Sequence, residues 1–338
     1  MKEIRWGILG PGTIANAFAK GLGESAYGTL VAVASRTKGR AEAFGARYGV
    51  EAERCYEGYQ ALCADPDIDA IYVATPHPFH KEHALMVLGA NKHLLLEKPA
   101  ALNRPDVLEI VNAARAQELF MGEAYMYLHH PQIRAALEIV NDPSMGPVEH
   151  IRATFCFDEP FDPKSRLYDP NLAGGGIFDV GGYVMSAACL FAGAGAGSYL
   201  WPVETKTLGL RAESGVDALA MALLRFDNDI TAEIACAVGR EIGQRVAVHC
   251  KHGKVVLDTP WLPGNEAAPA DSDIEIWSEG SHRTQSIPAS RMLYAYEADA
   301  ANLAIGAGRK EFTYPAISTE ESLAMAALLD EWHTSIVG

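Results

Sequence analysis

Along the first 120 or so residues, short apolar runs alternate with stretches whose apolar positions recur at helical spacing. Residues 4–9, 30–34, 70–75, 93–96 and 119–123 read as strands, and 13–22, 39–48, 79–88 and 105–117 as helices. Asn103 is placed to cap the last of these helices, with Pro105 just inside it, and Gly49 to stop the second. Strands that are almost wholly apolar, alternating with helices, predict a parallel sheet covered on both faces.

After Tyr125 the pattern changes. A helix is expected after Pro131, a strand over 148–157, an irregular Pro-, Asp- and Gly-rich stretch, then an apolar helix over 177–191. From about 203 to 287 strands dominate: 204–210, 218–226, 230–237, 245–249, 254–257 and 274–277. The links Asp227-Asn228-Asp229 and His252-Gly253 read as hairpin turns, so this second sheet should be open and largely antiparallel. Helices over 290–305 and 319–333 close the chain, the last expected to pack back on the first half. The division predicted is 1–124, an α/β domain, and 125–338, an α+β domain.

A length of 338 residues agrees with two domains, and 49% hydrophobic with 21% charged residues is globular composition. Lysine and arginine number 28 against 43 acids, a net charge of −15, which excludes a broad nucleic-acid face but not a local anion site. No secretory leader is read at the start, and the weakly polar stretch 184–197 is too short to span a bilayer. Six scattered cysteines without a CxxC pair read as reduced core thiols. A cytoplasmic protein without membrane contact is the expectation.

Gly10-Pro11-Gly12-Thr13-Ile14-Ala15 joins the first strand to the first helix as GxGxxA, the dinucleotide fingerprint of a Rossmann domain. Gly10 makes the tight turn, Gly12 admits a pyrophosphate to the backbone, and Thr13 and Ile14 open the helix whose N–H groups face the anion. Where an acid would bind a ribose 2′-hydroxyl, the second strand instead ends Ser35-Arg36-Thr37-Lys38, with Arg40 nearby. Hydroxyls and cations suit a 2′-phosphate, so NADP is expected rather than NAD. Thr75-Pro76-His77-Pro78-Phe79-His80 and Glu97-Lys98-Pro99 end two further strands, at the edge where open parallel sheets bind ligands.

These motifs, together with Gly122-Glu123-Ala124-Tyr125-Met126-Tyr127, Arg166-Leu167-Tyr168-Asp169-Pro170, Gly174-Gly175-Gly176 and Asp179-Val180-Gly181-Gly182-Tyr183, resemble the Gfo/Idh/MocA oxidoreductases. The last two are most similar to the branch containing dimeric dihydrodiol dehydrogenase and NADP-dependent xylose dehydrogenases. The resemblance implies hydride transfer between a nicotinamide and a hydroxyl- or carbonyl-bearing carbon of a sugar or cyclic polyol. It also implies a homodimer or higher homo-oligomer. Lys98 would lie near the nicotinamide and the substrate hydroxyl, Tyr183 would be the acid/base, Asp179 its neighbour, and Arg166 a lining residue of the pocket. Thr75, His77, His80, Glu97 and Lys98 would face the cofactor.

The chemistry is consistent: a phenol moves a proton near neutral pH only if a cation such as Lys98 favours its phenolate. Asp179 and Tyr183, four apart, share a helix face. Two departures stand out. Leu128 replaces an arginine common in relatives, and the Gly181-Gly182 pair is expected to widen the pocket. A metal at His77, His80, His83 and Glu82 is not favoured, because Pro78 interrupts the run. The alternative to an enzyme is a non-catalytic NADP-binding regulator of the same fold, against which the retention of Lys98, Asp179 and Tyr183 argues.

Overall fold

In the first half, six strands pair in parallel: β1 (Ile4–Leu9), β2 (Gly28–Ser35), β3 (Cys55–Glu57), β4 (Ala70–Val73), β5 (His93–Glu97) and β6 (Met121–Ala124). A computed structural model of the chain describes residues 2–263, 269–278 and 280–338. The order β3-β2-β1-β4-β5-β6 reverses direction between β1 and β4, and a ligand crevice opens at that switch point. Helices α1 (Thr13–Gly23), α2 (Lys38–Tyr48), α3 (Tyr59–Ala64), α4 (His80–Gly89) and α5 (Arg104–Ala116) connect the strands. The Asn103 side chain accepts from the Asp106 N–H at 2.9 Å, capping α5, and Gly49 ends α2 at φ 73°.

The second half begins with α6 (Pro131–Val140), β7 (Val148–Cys156), a π-turn at Ile177–Gly181 and α7 (Gly182–Ala192). It continues through β8 (Pro202–Arg211), β9 (Asp217–Phe226), β10 (Thr231–Ala237), β11 (Gln244–Cys250), β12 (Gly253–Leu257), β13 (Ser272–Ser278) and β14 (Ser281–Ile287). The sheet order is β14-β13-β12-β11-β7-β10-β9-β8, antiparallel except where β7 and β10 run parallel. The helical span Pro170–Ala192 is long and apolar, yet its apolar window is wholly buried inside the protein. It is a core element.

Helices α8 (Leu293–Gly306) and α9 (Thr319–Val337) return to the first half. α9 packs on α5 and β6, and α8 packs on α1, which the sequence pattern did not suggest. The Trp6 indole donates to the Asn302 side chain at 2.7 Å, tying β1 to α8 across the chain. One apolar core runs from Trp6, Phe18 and Tyr72 under the first sheet to Tyr127, Tyr183 and Trp261 on the second.

Three elements escaped the sequence pattern. β3 and α3 are too short to show a period, and β14 (SHRTQSI) is an edge strand with a single apolar residue.

Candidate active site

Gly10 sits at φ 93°, in the region that favours glycine, and a Cβ there would lie 2.9 Å from the Thr75 methyl. Gly12 precedes α1 in extended conformation, with nothing within 4 Å of where its Cβ would be. No side chain caps α1, and its first turn carries no acid, so its N–H groups face an open cradle. Ala15 is fully buried against the sheet. From this cradle a cleft of about 1170 Å³ passes the ends of β2, β4 and β5 and reaches the second sheet.

At one end Ser35, Arg36 and Arg40 line the cleft beside Tyr59. Burial raises the Tyr59 pKa, and both arginines oppose that rise, which puts two cations near its ring. Neither arginine has an ion-pair partner among the described residues. Glu57 pairs in register with Ser35, but it is exposed and does not line the cleft. Thr37, the residue before α2, is not part of that wall.

At the other end Lys98, Arg166, Asp179 and Tyr183 converge. The Lys98 ammonium donates to the Asp179 main-chain carbonyl at 2.6 Å and lies 5.2 Å from the centroid of the Tyr183 ring. Arg166 donates to the Asp179 carboxylate at 2.9 Å. Burial opposes ionisation of Asp179, but Lys98 and Arg166 outweigh it and hold the carboxyl below its ordinary range. Asp179 is the central residue of the π-turn, a wider turn than an α-helix makes.

Tyr183 is buried, and its hydroxyl donates to the Met126 sulfur at 3.2 Å. Burial, followed by Glu97 and Asp179, pushes its pKa well above the ordinary phenol. This corrects the expectation that Lys98 would lower it. Among the protein's own groups desolvation is the largest influence, and it favours the phenol.

Three other expected contacts change character. His80 is fully buried, with Nδ1 2.8 Å from the Pro99 carbonyl and Nε2 2.7 Å from the Thr75 carbonyl. Burial pushes its pKa down to about 4, so the neutral ring carries one N–H, which donates to one of the two carbonyls. The Glu97 carboxylate accepts from the buried Tyr72 hydroxyl, and the Thr75 hydroxyl pairs with His83 Nδ1 at 2.9 Å. His77, by contrast, has a buried Nδ1 without a partner among the described residues, in the cleft wall beside Lys98 and Asp179.

The small pair before Tyr183 does not widen the cleft. A Cβ at Gly182 would overlap the Tyr125 hydroxyl, and one at Gly181 would meet Trp332 and Cys236. Leu128 lies elsewhere, in the wall of a second cavity of about 620 Å³ with His129, Arg134 and Phe312. Sequence reasoning missed, among others, Met126, Phe155, Phe157, Leu172, Gln244, Leu262 and Tyr294, which also line the cleft. Phe155 and Phe157 alternate on or just beyond β7, but the alternation alone does not say which face meets the cofactor side.

A family model for oxidoreductases with an NAD-binding Rossmann fold (Gfo/Idh/MocA) matches residues 4–125, and the C-terminal-domain model of that family matches 133–256. The chain belongs to the Gfo/Idh/MocA oxidoreductase family. As a member of this family it is an enzyme of the dehydrogenase/reductase type. It is 32% identical over 262 residues to trans-1,2-dihydrobenzene-1,2-diol dehydrogenase of Mus musculus, covering 77% of this chain and 76% of that one. It is 30% identical over 335 residues to dTDP-3,4-didehydro-2,6-dideoxy-alpha-D-glucose 3-reductase of Saccharopolyspora spinosa, covering 97% and 96%. Among solved structures it resembles KijD10, a 3-ketoreductase from Actinomadura kijaniata crystallised with NADP and TDP-benzene. That match has a TM-score of 0.85 at 28% identity, covering 98% of each chain.

Proposed function

We propose that this Gfo/Idh/MocA protein is an NADP-dependent oxidoreductase that interconverts a hydroxyl and a carbonyl on a sugar or cyclic polyol. The observation carrying this is the single cleft that joins the glycine cradle and the Arg36–Arg40 end to Lys98, Asp179 and Tyr183. The cradle at Gly10, Gly12, Thr13 and Ile14 fits a pyrophosphate, and Ser35, Arg36 and Arg40 fit a 2′-phosphate. His77, Thr75, Lys98 and Arg166 would hold the nicotinamide half. NADP, when bound, supplies or accepts the hydride.

In reduction the Tyr183 hydroxyl gives its proton to the oxygen of the substrate carbonyl; in oxidation the same oxygen takes the proton back. Lys98 lies close enough to the ring to stabilise the phenolate formed on donation. Asp179, held ionised by Arg166, orients the substrate. Phe155, Phe157 and Leu262 exclude water from that end.

Residues 1–124 are read as the cofactor unit, and 125–338 as the substrate and self-association unit. The open face of β8 and β9 supports a homodimer: Leu208 and Leu223 are 72% and 60% exposed, with Leu210 and Met221 beside them. A cytoplasmic site of action agrees with six buried free cysteines. The test is to follow nicotinamide absorbance with purified protein, NADP and a panel of aldoses and cyclic diols. Turnover is expected with at least one of them. Silence across the panel, in protein that binds NADP, would overturn the reading in favour of a regulatory binder.

A further inference from the structure

We infer that Asp217 is a positioning residue for the reactive segment, holding from the second sheet the backbone turn that presents Asp179 and Tyr183. The inference rests on the roles given to those two residues above.

Asp217 opens β9 and is fully buried. Its Oδ2 accepts from the Ile177 N–H at 2.8 Å, and Ile177 is the first residue of the π-turn. The N–H groups of Gly176 and of Asp217 itself also favour the carboxylate. Gly175, at φ 106°, has no side chain because the other Asp217 oxygen occupies that space. From the opposite side, the Gly175 N–H donates to the Leu167 carbonyl at 2.8 Å. A Cβ on Gly174 would lie 2.7 Å from that carbonyl oxygen and 2.8 Å from the Arg166 one. Residues 174–177 are thus clamped between the Arg166–Leu167 backbone and one buried carboxyl.

What the clamp holds is specific. Two residues past Ile177, Asp179 offers its carbonyl to Lys98 and its carboxylate to Arg166. A π-turn is rarely kept by backbone bonding alone, so its first N–H groups need an external acceptor. Burial raises the Asp217 carboxyl to about 7, a cost retained where a less demanding residue would suffice for packing. The triple glycine at 174–176, in the sequence only part of a motif, has its explanation here.

The test uses the full-length protein with Asp217→Asn and Asp217→Ala, alone and combined with Asp179→Asn. Readouts are kcat, KM, NADP affinity by fluorescence titration, and thermal midpoint. Asp217→Ala is expected to lower kcat about 100-fold while NADP affinity stays within about twofold, since a displaced reactive group costs turnover before binding. Asp217→Asn, whose amide oxygen still accepts from Ile177, should recover about tenfold of that loss. In the Asp179→Asn background, Asp217→Asn should add little, because residues that act through one another are not additive.

A folded Asp217→Ala protein with unchanged kcat would overturn the inference. So would a loss of the same size with and without Asp179→Asn. Should Asp217→Ala fail to fold, the Asn cycle still separates these outcomes. If Asp179→Asn and Tyr183→Phe alone left turnover intact, the site reading itself would fall. If they abolished it while the Asp217 variants kept it, only the present inference would.

Discussion

The Lys98 ammonium donates to the main-chain carbonyl of Asp179 at 2.6 Å, bridging the end of the fifth Rossmann strand to the π-turn of the second half. The bridge fixes two parts of the site at once. It places the ammonium over the Tyr183 ring, and it leaves the Asp179 carboxylate to Arg166. Lys98, Asp179 and Tyr183 thus reach one end of the cleft from separate elements.

Tyr183→Phe removes only the hydroxyl, whose partner is the Met126 sulfur. Packing against Tyr125, Tyr127 and Phe155 is retained, so stability should change little. If this hydroxyl moves the proton, kcat should fall about 100-fold or more, while NADP affinity stays near wild type. Steady-state kinetics and a cofactor titration check this; a kcat within about threefold of wild type would remove Tyr183 from the chemistry.

Arg36→Ala tests the cofactor end. Arg36 lines the cleft with Ser35 and Arg40, and it has no carboxylate partner among the described residues to satisfy it otherwise. A charge-assisted contact to a phosphate is worth about 1.5–3 kcal/mol, so NADP affinity should fall roughly 10- to 100-fold, with NAD hardly affected. The NADP-to-NAD ratio of kcat/KM is the measurement; an unchanged ratio would mean that the 2′-phosphate is not read here.

Much of this was legible in the residues. The glycine turn announces itself because a positive-φ Gly10 and an open Gly12 are needed at fixed offsets. Asn103 and Gly49 were readable as caps for the same local reason. What was not legible depends on contacts distant in sequence. His80 looks like a cofactor donor until the Thr75 and Pro99 carbonyls are seen against both its nitrogens. The Tyr183 phenol looks activated by Lys98 until its burial is counted. Nothing local to Gly182 reveals that Tyr125, 57 positions upstream (182 − 125), fills its side-chain space.

That last contact makes a stability prediction. Gly182→Ala would drive a methyl into the Tyr125 hydroxyl at the start of α7, an overpacking cost of about 1–3 kcal/mol. Tyr125→Phe removes that hydroxyl, which is buried without a hydrogen-bond partner among the described residues, so alone it should be neutral or slightly stabilising. The double variant should recover most of the Gly182→Ala loss. Denaturant unfolding of the four proteins measures the coupling; strict additivity would show that the two positions do not meet.

The buried acids behind the site predict how stability depends on pH. Glu297 is fully buried with neither carboxyl oxygen hydrogen-bonded among the described residues, and burial, reinforced by Glu97, pushes its pKa well above the ordinary value. Glu123 rises to about 7, chiefly through burial. An acid whose folded pKa is raised holds a proton that the unfolded chain has already lost. Its stabilising contribution is therefore complete below the unfolded pKa and disappears as pH climbs through the folded one. Asp179 and Asp69, with lowered values, act in the opposite sense and only at acid pH. Histidines such as His80, His129 and His130, lowered by burial to about 4, act against this below about pH 6.5, so the acid's own share is read from the difference between wild type and a Glu297 variant. Glu297→Gln keeps the shape but cannot ionise, so it should raise the midpoint by a few degrees at about pH 8 and leave it nearly unchanged at about pH 5. Scanning calorimetry at both pH values decides the matter, and an equal change in the two proteins would mean that Glu297 does not titrate across this range.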